Sequence, residues 1–208
     1  MKRTLCALIL CLAPAAVAQT APPSPGGPHA GHGAAAPKQE KSTPAAEQYF
    51  TDLELLDQDG KKVRLYTDLL KGKTVVVNTF FATCPTVCPP LTANLKKVQD
   101  HFGDRVGKDL FFVSITVDPE TDTPEKLRAF AQKFQTKSGW SFVTGKKENV
   151  DRALYKFGQY VKEKNDHGTV LLIGNVPTEL WKKAYGLAPR TDLIKIITEV
   201  LDDRSVTK

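Results

Sequence analysis

Two apolar runs constrain the fold of this chain more than any other feature of its sequence. The first extends from Thr74 to Phe81 and the second from Leu110 to Val117, and each combines β-branched with aromatic residues. Because both faces of each run are apolar, the pattern predicts two central strands that are buried on both sides of a sheet. Apolar residues between the two runs recur at helical spacing and predict an amphipathic helix: Leu91, Leu95, Val98 and Phe102.

Shorter patterns around these runs extend the alternation of strands and helices. Residues 50–66, with a Gly-ended turn in the middle, predict an N-terminal β-hairpin. Thr123 is predicted to cap a helix with Pro124 in its first turn. The remaining predicted elements are strands at 141–143, 169–173 and 179–185 and helices that begin near 148 and 191. This order is that of an α/β domain with a central mixed sheet flanked by helices.

The N-terminus has the composition of an export signal. Lys2 and Arg3 precede an apolar run, and Ala16-Val17-Ala18 matches a signal-peptidase site, so we expect cleavage before Gln19. The alternative is an uncleaved membrane anchor, which needs about 20 apolar residues, whereas Pro14 interrupts this run. The predicted organisation is a signal peptide at 1–18, a flexible Ala/Pro/Gly-rich leader at 19–46 and a folded domain at 47–208, with a periplasmic location.

The charge of the chain disfavours nucleic acid as a partner. The net charge is +6, but the lysines are scattered along the sequence rather than gathered in one basic block. A scattered surplus is typical of a solvated surface.

The cysteines of the predicted mature chain form one pair. Cys6 and Cys11 lie within the predicted signal peptide, which leaves Cys84 and Cys88, four residues apart, where the first central strand meets its helix. In open α/β sheets, ligands bind at the carboxyl ends of the strands. A cysteine pair at that position in an α/β domain predicts a thioredoxin-like fold. Positions i and i+4 share one face of a helix, so both sulfurs can bind one ion or each other.

Three chemistries are open for this pair. A structural disulfide is common in exported proteins, but so short a loop gains little stability from it. In thiol–disulfide exchange Cys84 and Cys88 are catalytic, and Cys84 is the expected attacking thiol. In soft-metal binding, two thiolates favour Cu(I) or Zn(II), and a third ligand decides the geometry.

His167 is the candidate third ligand. It lies in the loop that enters the predicted strand at 169–173, where thioredoxins place a cis-proline, and no proline occurs here between Pro124 and Pro177. A lone loop histidine is more often an ordinary surface side chain. An imidazole that faces two thiolates, however, makes a three-coordinate site suited to copper in either oxidation state.

Three motifs carry a resemblance to a known family. They are Phe81-Ala82-Thr83-Cys84-Pro85-Thr86-Val87-Cys88-Pro89, Val117-Asp118-Pro119-Glu120-Thr121-Asp122-Thr123-Pro124 and Asp166-His167-Gly168. In order and spacing the chain resembles the Sco/SenC family of copper-binding thioredoxin-like proteins across roughly residues 48–203. The resemblance implies that Cys84, Cys88 and His167 bind one copper ion, as Cu(I) or Cu(II). It also implies delivery of copper to the dinuclear centre of cytochrome c oxidase, or reduction of the cysteines of that centre.

The same resemblance implies the partners. The first is the copper-centre subunit of cytochrome c oxidase, and other periplasmic copper chaperones or thioredoxin-like reductases follow; we expect a monomer. Family members usually carry a membrane anchor or a lipid, whereas we expect this chain to be released after cleavage of its signal peptide. The chain also departs from the family pattern in Gly168, where serine is common, and at residues 174–177 after the strand. A peroxidase is disfavoured, because the second cysteine would compete and no arginine lies nearby in sequence.

Two further features of the sequence have open roles. Asp118 ends the second central strand, and capping of the following turn is favoured over support of the metal site. His29 and His32 lie in the leader, where they either collect copper or reflect composition alone; the second interpretation is favoured, because two ligands without a scaffold bind weakly.

Overall fold

Seven strands form one mixed sheet in the computed structural model, which describes residues 45–205. The strands are β1 (Glu54–Asp57), β2 (Lys62–Arg64), β3 (Thr74–Phe80), β4 (Leu110–Thr116), β5 (Trp140–Thr144), β6 (Val170–Asn175) and β7 (Leu180–Tyr185). The helices are α1 (Ala45–Phe50), α2 (Cys88–Phe102), α3 (Pro124–Lys133), α4 (Lys147–Lys156) and α5 (Arg190–Leu201). Within the described range, no helix combines the length and the apolar character needed to cross a bilayer. The predicted signal peptide and most of the predicted leader lie outside that range.

The sheet order places the two predicted apolar runs at its centre. The order is β2-β1-β5-β4-β3-β6-β7, so β3 and β4 are neighbours. They pair in parallel, as do β4 and β5, whereas β6 runs antiparallel to β3 and to β7. The predicted hairpin of β1 and β2 forms one edge of the same sheet through β5. The α/β fold with a central mixed sheet flanked by helices is therefore confirmed.

The core lies on both faces of the sheet, as the two-sided apolar pattern of β3 requires. Val76 and Phe80 belong to the layer that also contains buried residues of α2, α3 and α5. Val75 and Val77, one position out of phase, belong to the opposite layer, which contains buried residues of α4. Full burial of side chains of this kind stabilises the fold by about 1.5–3 kcal/mol each. β3 is thereby fixed in the middle of the molecule, and the segment that follows it starts from a rigid support.

Two local predictions differ from the structure in detail. The second hairpin strand was expected to continue to Tyr66 but ends at Arg64, because the carboxylate of Asp68 accepts the Arg64 main-chain N–H at 2.7 Å. The chain then turns into a π-helical segment at Leu65–Leu70. Thr123 is the N-cap residue of α3, as predicted, but its side chain makes no capping hydrogen bond.

Strand directions bring three segments to one edge of the sheet. β3 and β4 are parallel, so their carboxyl ends lie together, and the residues that follow are the cysteine segment and Asp118. β6 is antiparallel to β3, so its amino end, which His167 precedes, lies at the same edge. All sequence-predicted site residues of the described chain are therefore neighbours in space.

Candidate metal centre

The cysteine segment is a tight connection from β3 to the first turn of α2. The main-chain N–H of Cys84 donates to the Phe81 carbonyl oxygen at 3.1 Å, which closes a turn directly after the strand. The N–H of Cys88, the first residue of α2, donates to the Cys84 sulfur at 3.4 Å. Pro89 and Pro90 follow in the first turn, where the missing N–H has no intrahelical partner to lose. Both cysteines are free thiols.

The two thiols have opposite acid–base properties. Burial acts to raise the pKa of Cys84, but hydrogen bonds from the Cys88 thiol and from the main-chain N–H groups of Thr86, Val87 and Cys88 outweigh it and lower the pKa. Burial, together with the hydrogen bond between the two thiols, raises the pKa of Cys88 to about 12. The relative exposures are 6% for Cys84 and 1% for Cys88. Cys84 is thus the less buried of the two thiols and the one that ionises first.

His167 closes the site from the other side. It is buried, and its Nε2 lies 3.7 Å from the Cys88 sulfur. Its Nδ1 lies 3.2 Å from the Gly168 carbonyl oxygen, to which a protonated Nδ1 donates. Burial lowers the pKa of the imidazole, so the neutral ring is favoured. In that tautomer the lone pair of Nε2 points toward the sulfurs, which is the arrangement that metal-binding histidines adopt.

The structure brings the three sequence-predicted residues together. The ligand atoms of Cys84, Cys88 and His167 all lie within 4.8 Å of one another. Two sulfurs and one imidazole nitrogen form a soft donor set that suits Cu(I) or Zn(II). The same geometry leaves the thiols able to react with each other or with a partner disulfide. The arrangement therefore permits metal binding and thiol–disulfide exchange, two of the three chemistries that the sequence left open.

Asp118 contacts the segment that carries His167. Its Oδ2 lies 2.7 Å from the Nζ of Lys164. Lys164 belongs to the short helical turn that directly precedes His167. The Nζ of Lys164 also lies 5.3 Å from the centroid of the Phe81 ring. The Phe81 ring in turn packs edge-on against the imidazole of His167, with 5.4 Å between the ring centroids. The turn after β4 is closed instead by the main-chain carbonyl oxygen of Asp118, which accepts from Thr121 and Asp122. The favoured capping role of the Asp118 side chain is therefore replaced by an ion pair to the histidine loop.

Sequence reasoning missed two residues beside the site. Lys164 had no signal, because a lysine in a polar loop resembles any surface cation. Asp122 could have been found from the sequence, because it lies in the same motif as Asp118. In the structure it is the fully buried carboxylate of that motif. His29 and His32 lie outside the described residues, so their role stays a prediction.

The sequence of the chain is similar to those of known proteins. The SCO1/SenC family model matches residues 41–176. The SCO1 protein homolog of Bacillus subtilis (strain 168) is 34% identical over 118 residues, which cover 55% of this chain and 60% of that protein. The chain thus spans less than two thirds of the length of this curated relative.

Solved structures extend the likeness over more of the fold. A SCO1/SenC family lipoprotein from Bacillus anthracis str. Ames is 34% identical with a TM-score of 0.62, covering 73% of this chain and 94% of that one. BsSco, a member of the Sco family of cytochrome c oxidase assembly proteins, is 27% identical with a TM-score of 0.61, covering 73% and 92%. The thioredoxin-like architecture predicted from sequence is the architecture of these proteins.

Proposed function

Because this chain belongs to the SCO1/SenC family, we propose that it is a copper metallochaperone that serves the dinuclear copper centre of cytochrome c oxidase. The cargo is one copper ion, held by the sulfurs of Cys84 and Cys88 and by Nε2 of His167. The observation that carries this proposal is the clustering of these three ligand atoms within 4.8 Å, with the other ring nitrogen of His167 engaged by a carbonyl oxygen. Membership of BsSco in a family of oxidase assembly proteins supports the choice of partner.

Ligand exchange is the mechanism that the geometry favours for transfer. Three protein ligands leave a Cu(I) ion open to an incoming thiolate. Cys84 is more accessible than Cys88 and has the lower pKa, so we expect partner thiols to displace Cys84 first and the buried Cys88 later. Each step exchanges one copper–sulfur bond for another and needs no change of oxidation state.

We place this activity in the periplasm. The supporting feature is the predicted signal peptide at 1–18, with cleavage between Ala18 and Gln19. Copper-centre thiols in an oxidising compartment are prone to disulfide formation, which creates a need for assembly factors there.

Titration of the purified, reduced protein with Cu(I) against a chromophoric competitor tests the proposal. We expect one ion per chain, and at least ~10-fold weaker binding in His167→Ala, since loss even of groups that merely support a ligand commonly costs this much. His101→Ala is the matched control, because His101 is an exposed histidine on α2, and it should bind as the wild type does. Stoichiometric binding that is equally strong in His167→Ala would refute the three-ligand site.

Thiol–disulfide exchange is a second candidate, favoured by the lowered pKa and greater accessibility of Cys84. The Cys84 thiolate would attack a partner disulfide, forming a mixed disulfide and releasing one partner thiol. Cys88 would then attack the Cys84 sulfur, which releases the second partner thiol and leaves a Cys84–Cys88 disulfide. Fast reduction of an oxidase-subunit disulfide by a protein that binds no copper would favour this function over the first.

A further inference from the structure

Asp122 is a carboxylate with no contact to solvent, in the turn that joins β4 to α3. Its relative exposure is 0%. Its Oδ2 accepts two hydrogen bonds, from the Thr116 hydroxyl at 2.6 Å and from the Ala82 main-chain N–H at 3.0 Å. Its Oδ1 is buried and has no hydrogen-bond partner among residues 45–205. Burial of a carboxylate is costly unless hydrogen bonds compensate for the lost hydration, so the two bonds to Oδ2 are needed to hold this side chain in place.

The turn itself does not require this side chain. The main-chain N–H groups of Thr121 and Asp122 both donate to the carbonyl oxygen of Asp118, at 3.1 and 2.9 Å, and these bonds close the turn. The Thr116 hydroxyl also accepts the Asp118 N–H, at 2.9 Å, so it links the end of β4 to the start of the turn. What the Asp122 carboxylate adds is a bond that leaves the turn and reaches the cysteine segment.

Ala82 is the point at which the chain leaves β3 for the cysteines. It follows Phe81, whose carbonyl oxygen accepts the Cys84 N–H. Past the end of β3 the sheet no longer holds the main chain, so the Ala82 N–H has no strand partner. The bond to Asp122 supplies one, and it ties the cysteine segment to the end of β4.

We propose that Asp122 is the positioning residue for Cys84 and Cys88, acting as a hydrogen-bond acceptor that fixes Ala82 against Thr116. Asp118 contacts the histidine loop through Lys164, so the two aspartates of one motif hold the two ligand-bearing segments from the same turn. This proposal rests on the proposed function only in taking both cysteines as copper ligands.

Four variants separate positioning from general stability. Asp122→Asn keeps an oxygen that can accept from both Thr116 and Ala82, whereas Asp122→Ala removes the acceptor. Asn175→Ala is the control, because Asn175 is a buried residue at the end of β6 that lies away from His167. Its side-chain amide donates to the carbonyl oxygens of Val200 and Asp203. Thr116→Val, which removes one support of Asp122 but keeps the carboxylate, serves if Asp122→Ala does not fold.

Two measurements are made on each folded variant. In the metal-free protein, hydrogen exchange of the Ala82 amide is followed by NMR; we expect at least ~10-fold faster exchange in Asp122→Ala. Cu(I) affinity by competition should fall about 10–100-fold in the same variant. Asp122→Asn should stay within about threefold of the wild type in both, and Asn175→Ala should change neither; Thr116→Val should move both in the direction of Asp122→Ala.

Three results would overturn the proposal. Unchanged Ala82 exchange and copper affinity in Asp122→Ala would remove the positioning role. Equal losses in Asp122→Asn and Asp122→Ala would show that the charge matters and not the acceptor. Losses in Asn175→Ala as large as those in Asp122→Ala would reduce the effect to instability. A wild type that binds no copper would refute the proposed function instead, while the exchange measurement still decides the role of Asp122.

Discussion

In the reduced, metal-free protein, iodoacetamide is expected to label Cys84 long before Cys88. The thiolate is the reactive form of cysteine. The pKa of Cys84 is lowered from the ordinary 9.0, whereas that of Cys88 is raised to about 12. Each pKa unit changes the thiolate fraction tenfold at a pH well below the pKa. The thiolate fraction of Cys88 at pH 8 is therefore ~1000-fold below that of Cys84 or lower still.

Peptide mapping by mass spectrometry over a quenched time course, from pH 6.5 to 9.5, measures both rates. In Cys88→Ser, labelling of Cys84 should change little, because serine keeps a hydroxyl donor toward the Cys84 sulfur. In Cys84→Ser, Cys88 should stay slow, because burial is the largest cause of its raised pKa. Protein unfolded in urea is the control and should label at both positions equally. Comparable rates at the two cysteines of the native protein would refute the assigned asymmetry.

Three further predictions concern the surroundings of the site and the fold. A Cβ at Gly174 would lie 2.4 Å from the Trp181 ring, so Gly174→Val should lower the free energy of unfolding in urea by about 1–3 kcal/mol. Gly168→Ser, whose Cβ would lie at least 3.9 Å from every atom beyond the two adjacent residues, should be neutral; equal effects of the two substitutions would contradict this packing. Asp118→Asn should change the free energy of unfolding by less than ~1 kcal/mol, because Lys164 is 40% exposed, yet weaken Cu(I) binding up to ~10-fold. An unchanged affinity would count against a role for this pair in holding the histidine loop. Arg64 holds the pKa of Asp68 at about 2, below the ordinary 3.8, so the ion pair stabilises the fold above pH 3.8 and this contribution is lost as the pH falls through 2. Asp68→Asn should cost under ~1 kcal/mol at pH 6 and progressively less as the pH falls from 3.8 through 2, and a difference that does not shrink over this range would argue against the assignment.

Local patterns determined the strands, the helices and the candidate ligands. β3 and β4 were predictable because a run that is apolar on both faces has one stable place, the middle of a covered sheet. The chemistry of Cys84 and Cys88 was predictable because a spacing of four residues at a helix start fixes which side chains share a face. The motifs around them, with His167, were sufficient to indicate the family.

The tertiary structure decided what those residues meet. His167 reaches Cys88 across 79 residues of chain only because β6 pairs antiparallel with β3, and strand direction is set by packing of the whole sheet. The contact of Asp122 with Ala82 depends on the parallel pairing of β3 with β4, and the contact of Asp118 with Lys164 depends on both pairings. A sequence specifies donors and acceptors one at a time, whereas the partner of each depends on which strand ends share an edge, and that is a property of the folded sheet alone.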